Sequence, residues 1–143
     1  MSHVVAIAND HAGVALKNAL MPVIASHGFS VKDLGTGTSE SVDYPDFGKL
    51  LGQTVARGDA KYGIAICGSG IGISIAANRI PGARAALCTT TQHAALARQH
   101  NDANILALGA RLIGEDEAKS VLTTFLTTDF EGGRHEARVK KLG

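Results

Sequence analysis

The chain has 143 residues, a length that fits one domain with a sizeable buried core. A formal net charge of +1 and a hydrophobic share of 45% argue against disorder and give no reason to expect nucleic acid or an anionic membrane as the main partner. No run approaches the roughly 18 apolar residues of a membrane span, "MSHVVAIAND" lacks the regions of a secretory signal, and Cys67 and Cys88 form no CxxC pattern, so a reducing cytoplasm is expected rather than a disulfide framework or structural zinc.

Residues 3–9, HVVAIAN, read as a buried strand. Leu16, Leu20, Val23 and Ile24 then share one helical face, with Gly28 as the stop and Pro22 expected to kink or restart the helix. FSVKDLG (29–35) alternates like an edge strand, and the apolar spacing from Pro45 to Gly58 is helical. YGIAICG (62–68) is a continuously buried strand, followed by a helix from about Ile71. A strand at 83–89, a helix at 90–100, a strand at 104–109 and a helix from Glu115 to about Thr127 complete the series. Five strand-then-helix units with near-continuous apolar strands predict a five-stranded parallel sheet with helices on both faces and right-handed crossovers. With no repeat or linker, residues 1–143 read as a single domain. A glycine pair (132–133) releases a basic helical arm, 131–143, from its body.

In such sheets ligands bind beyond the carboxyl ends of the strands. Asn9-Asp10-His11, Gly35-Thr36-Gly37, Cys67 to Gly72, Thr89 to Thr91 and Gly109-Ala110-Arg111 occupy those positions. The glycine-rich loop CGSGIG (67–72) is the most specific of them. Alternating glycines ahead of a helix leave amides free to converge on a phosphate or a developing oxyanion. A tight structural turn would be written the same way. The loop lacks the lysine of a P-loop, and isoleucines at 73 and 75 replace the third glycine of a dinucleotide fingerprint. A thiol at a helix N-terminus ionises more readily than a free one and can act as a base or nucleophile; the alternative for Cys67 is an inert core cysteine, which is the reading taken for Cys88.

His100 closes a helix in RQHNDAN, where it is either an acid/base or a helix-end cation. His3 and His27 read as surface or strand-end residues, and His93 has no evident partner. Arg134 and Arg138 share a helix face beside His135, as two guanidiniums for a phosphate or as solvated surface. Arg111, just past a strand end, is the better-placed anion ligand. No metal motif is present, and no acid/histidine cluster shows ligand spacing. A thiol base, an amide cradle, a histidine and several arginines fit proton abstraction beside a carbonyl in a phosphorylated small molecule.

NDHAG (9–13), DYP (43–45), CGSGIGISIAANR (67–79), RQHNDANILALGAR (98–111) and EGGRHEARV (131–139) together resemble the ribose-5-phosphate isomerase type B family, shared with galactose- and allose-6-phosphate isomerases. The resemblance implies a Rossmann-like three-layer α/β/α sandwich and a metal-free, cofactor-free interconversion of ribose 5-phosphate and ribulose 5-phosphate, a step of pentose phosphate metabolism. It also implies homodimers, or pairs of dimers, with sites at the subunit interface. By position it makes Cys67 the base between C1 and C2 and His100 the acid/base that opens the furanose ring. Asp10 and His11 would contact the sugar. The amides of Gly68, Ser69, Gly70, Ile71 and Gly72 would hold the enediolate, and Asn101, Arg111, Arg134 and Arg138 would be the remaining ligands. Tyr44 is expected to line the sugar pocket. Ser74 stands where some relatives carry a glutamate base, so the chain is expected to be of the cysteine type. Allose or galactose phosphate as substrate, or a non-catalytic phosphate- or nucleotide-binding module on the same sandwich, are the competing expectations.

Overall fold

The computed structural model describes residues 3–143. The chain alternates through β1 (Val4–Asn9), α1 (Val14–Ser26), β2 (Ser30–Asp33), α2 (Tyr44–Ala56), β3 (Tyr62–Cys67) and α3 (Ile71–Asn78). It continues through β4 (Ala85–Leu87), α4 (Thr91–Asn101), β5 (Ile105–Gly109), α5 (Glu115–Thr127) and α6 (Arg134–Leu142). The strands form one parallel sheet in the order β2-β1-β3-β5-β4, the Rossmann-like sandwich that the alternating pattern implies.

The strand period of two sorts side chains by size. Ile7, Tyr62, Ile64, Ile66, Leu106 and Leu108 point to the face covered by α1 and α5, where Leu20, Ile24, Leu122 and Phe125 are fully buried. Ala6, Ala8, Ala65, Cys67 and Ala107 point to the other face, against Leu51 and Val55 of α2 and Ile73 and Ala77 of α3. The two helices on this alanine-rich face pack closely: a Cβ on Gly48 of α2 would lie 2.8 Å from the Ala76 Cβ of α3. Cys67 therefore projects toward α2 and α3, at the last position of the central strand.

Two expectations are corrected. The first helix runs through Pro22 without restarting. Pro22 is exposed, so its missing N–H falls on the solvent side of α1. The edge strands are also shorter than read, Ser30–Asp33 and Ala85–Leu87, because an edge strand has a neighbour on one side only. On the open side of β4, Asn78 acts as a substitute neighbour: its Oδ1 accepts from the Ala85 N–H (2.8 Å) and its Nδ2 donates to the Ala85 carbonyl (3.0 Å).

After β1 the chain goes outward to β2 and then returns past β1 to β3, so the order reverses between β1 and β3. The crevice beyond their carboxyl ends is where this architecture binds ligands. Among the described residues no helix is long and apolar enough to cross a membrane.

Candidate functional site

At the switch point Asn9 ends β1, and its buried side chain ties down two loops, donating to the carbonyls of Asp10 (2.8 Å) and Thr36 (3.1 Å). Lys17, also buried, donates to the Thr36 carbonyl (2.7 Å) and pairs with Asp33 (3.1 Å). The Gly35-Thr36-Gly37 turn thereby serves as a brace for the rim. Asp10 is 5% exposed. Its carboxylate accepts from the Ala12 N–H (3.0 Å) and caps the short 3-10 turn His11–Gly13. His11 Nδ1 accepts from the Val42 N–H (3.2 Å), so the neutral ring carries its proton on Nε2. Tyr44, at the start of α2, lays its ring against Gly72. It lines a cavity of about 220 Å³ with Lys49, Ile75 and Arg79.

The glycine loop follows β3. Gly70 has φ 76°, a left-handed conformation that an L side chain resists. That turn brings its N–H onto the Cys67 sulfur at 3.2 Å. The Ile71 N–H is taken by the Ser69 hydroxyl oxygen (3.2 Å). The expected five-amide cradle therefore divides: Gly70 and Ile71 are engaged within the loop, while the amides of Gly68, Ser69 and Gly72 donate to nothing among the described residues. Arg111, just beyond β5, anchors its own N–H on the Gly68 carbonyl (3.0 Å). Its guanidinium crosses Gly68 so closely that a Cβ there would be 2.9 Å from Nη1. It has no carboxylate partner among the described residues. Cys67 is 4% exposed, packed with Ile73 and Ala77 on the α2/α3 face of the sheet, and its sulfur accepts from the Gly70 N–H of the loop that follows it. Ser74 donates to the Ile71 carbonyl (2.7 Å) inside α3 and offers no base. Cys88 is buried, and burial pushes its thiol up to about 11.

The other expected residues lie on the opposite rim. α4 runs back from the carboxyl end of β4, so its last turn, with His100 and Asn101, meets the start of β5. Asp102 pairs there with Arg84 (3.4 Å), just ahead of β4. Cys67 is in register with Gly109, at the far end of β5 from Ile105, four residues or about 13 Å along a parallel strand. Within one chain His100 and Cys67 are not brought together.

His100 belongs to a second cluster. Its ring stacks on that of His135, 4.3 Å between centroids and 14° from parallel. The Glu131 carboxylate lies 3.6 Å from His135 Nε2 and 3.9 Å from His100 Nε2. Asn101, Arg138, Val139 and Leu142 line a cavity of about 250 Å³ with the two histidines. Arg134 opens α6, and neither it nor Arg138 forms an ion pair among the described residues. Burial first, then the charges of His100, Arg134 and Arg138, lower the proton affinity of His135 against the opposing pull of Glu131. The fold thus assembles an acid/histidine grouping that ligand spacing along the chain did not single out. The spacing of four between Glu131 and His135 was a visible signal, whereas His100 joins only through the fold. The three donor atoms lie within 4.8 Å of one another, but nearly parallel rings aim their lone pairs alongside one another rather than at one point. His93 also gains a partner, accepting at Nδ1 from the Thr89 N–H (3.3 Å).

Residues 5–142 match the family described as Ribose/Galactose Isomerase. A curated relative, ribose-5-phosphate isomerase B of Escherichia coli K12, is 43% identical over 138 residues, 96% of this chain and 93% of the relative. A solved ribose-5-phosphate isomerase B from Clostridium thermocellum superposes with a TM-score of 0.95 at 49% identity, covering 98% of this chain and 95% of that one. The ribose-5-phosphate isomerase B of Mycoplasma genitalium, solved with bound ribulose 5-phosphate, gives 0.92 at 40% identity, with 97% and 93% covered.

Proposed function

Because this chain belongs to the ribose/galactose isomerase family, we propose that it interconverts ribose 5-phosphate and ribulose 5-phosphate at a site built by two copies of the chain. The observation that carries the chemistry is the Cys67 sulfur held by the Gly70 N–H at 3.2 Å, in a loop that keeps three amides unengaged among the described residues and has the Arg111 guanidinium across Gly68. The thiolate of Cys67 takes the proton from C2 of the open-chain aldose. The C2 electron pair moves into the C1–C2 bond, and the C1 carbonyl becomes an oxyanion. The amides of Gly68, Ser69 and Gly72 stabilise that oxygen where its charge develops. The hydroxyl hydrogen passes from O2 to O1, the proton returns from sulfur to C1, and C2 becomes the carbonyl. Arg111 of one copy and Arg134 and Arg138 of the copy that supplies His100 hold the phosphate, a dianion suited to guanidinium forks. Asp10, His11 and Asn101 bind the sugar hydroxyls, and Tyr44 walls the pocket.

His100 opens the ring by taking the O1 proton and returning one to the ring oxygen. It comes from a second copy, since its own chain places it on the other rim. The exposed Ile71 and Ile75 of α3, both 52% exposed beside the loop, supply apolar surface for that copy to cover. The deciding experiment adds ribose 5-phosphate to the purified protein and follows ribulose 5-phosphate, with allose and galactose 6-phosphates in parallel. Turnover of ribose 5-phosphate at the highest kcat/KM is expected. Tight binding without turnover of any of the three would refute the reading in favour of a binding module.

A further inference from the structure

We propose that His135 is a positioning residue for ring opening: a flat ring stacked against His100 that fixes the plane in which His100 meets the sugar. The role rests on the proposed activity. His100 sits in the last turn of α4 with its side chain 40% exposed, where an imidazole free in χ2 would sample many orientations. Among the described residues one ring, that of His135, restricts it face to face. His135, in the first turn of α6 and 8% exposed, is itself fixed by its helix and by the Glu131 carboxylate 3.6 Å from Nε2. The 4.3 Å separation and 14° tilt leave His100 no room to rotate out of plane without losing the stack.

The charges around the pair favour one division of labour. Burial and the neighbouring His100, Arg134 and Arg138 lower the proton affinity of His135, and Glu131 opposes them. A neutral aromatic face beneath His100 accommodates its cationic form, which a second imidazolium would repel. Glu131 reaches both rings, so it holds the stack together from the loop preceding α6.

The test compares two substrates. Ribose 5-phosphate must be opened, whereas a four-carbon aldose 4-phosphate has no free O4 hydroxyl to close a furanose. His135→Ala is expected to lower kcat/KM on ribose 5-phosphate about tenfold while leaving the four-carbon sugar within twofold. His135→Phe, which keeps a flat neutral ring, is expected to restore at least half of the loss, and a thermal melt confirms that each variant folds. Equal loss on both sugars, loss on neither, or failure of phenylalanine to rescue overturns the positioning role while the isomerase reading stands. A wild-type chain inactive on both sugars overturns both.

Discussion

The proposed sharing of one site between two copies is open to a quantitative test. Cys67 lies level with Gly109 and His100 near the start of β5, about 13 Å apart along the strand direction and on opposite rims of the sheet. On that proposal, a chain carrying Cys67→Ala and a chain carrying His100→Ala should each be inactive on ribose 5-phosphate when paired with itself, but complementary. In a two-fold heterodimer one site collects both substitutions, and the other receives Cys67 and His100 intact. Random pairing makes about half of the dimers mixed, each with one working site of two, so co-expression should restore about a quarter of wild-type specific activity. Purifying the mixed species through two different tags should raise this to about half. The assay is ribulose 5-phosphate formation per milligram at saturating substrate. A mixture no more active than its parents would show that the two residues do not share a site across copies.

Cys67→Ala and Cys67→Ser should both abolish exchange of the substrate C2 proton with solvent, read by NMR, with a rate loss of about 10²- to 10⁴-fold and little change in phosphate binding. Arg111→Ala should raise KM more than it lowers kcat, because the guanidinium over Gly68 is assigned to substrate capture. Gly70→Ala combines a left-handed φ with a Cβ 2.6 Å from Leu87 Cδ1 and 2.8 Å from the Leu108 carbonyl carbon. A loss of about 1–3 kcal/mol is expected in denaturant unfolding, with activity lost before the fold. For Cys88, ionisation rises from 9.0 to about 11 in the folded state, so the unfolded chain releases the proton first. Stability should fall as pH climbs from 9 toward 11, by about 3 kcal/mol in all, and Cys88→Ala should be flatter than wild type over that window.

The sheet was legible because buried parallel strands are written as unbroken apolar runs, and VVAIAN, YGIAIC and ILALG are such runs. Edge strands are not, since half their hydrogen bonds go elsewhere, and both came out shorter than the composition of 29–35 and 83–89 implied. At the site, the residue types could be read from position: Asp10 and Arg111 come just after strands, and Cys67 ends one. Which amides stay available could not, because that depends on Gly70 turning its N–H onto a sulfur three residues back and on Ser69 capping Ile71. Nor does chain order reveal that α4 carries His100 to the far rim, where it meets His135 of α6, 35 positions on. Spacing along a helix reports neighbours, while the stacking of two helix ends is set by the packing of α4 and α6.

Asn78 carries a consequence of its own. A naked strand margin is a template on which a foreign strand can nucleate, and β4 is the margin of this sheet farthest from β2. By giving Ala85 both of the hydrogen bonds that an incoming chain would offer, one carboxamide removes the first rung of that ladder. Chains carrying Asn78→Leu should therefore become prone to fibrillar aggregation on mild heating, with thioflavin binding as the signal, while the parent stays in solution.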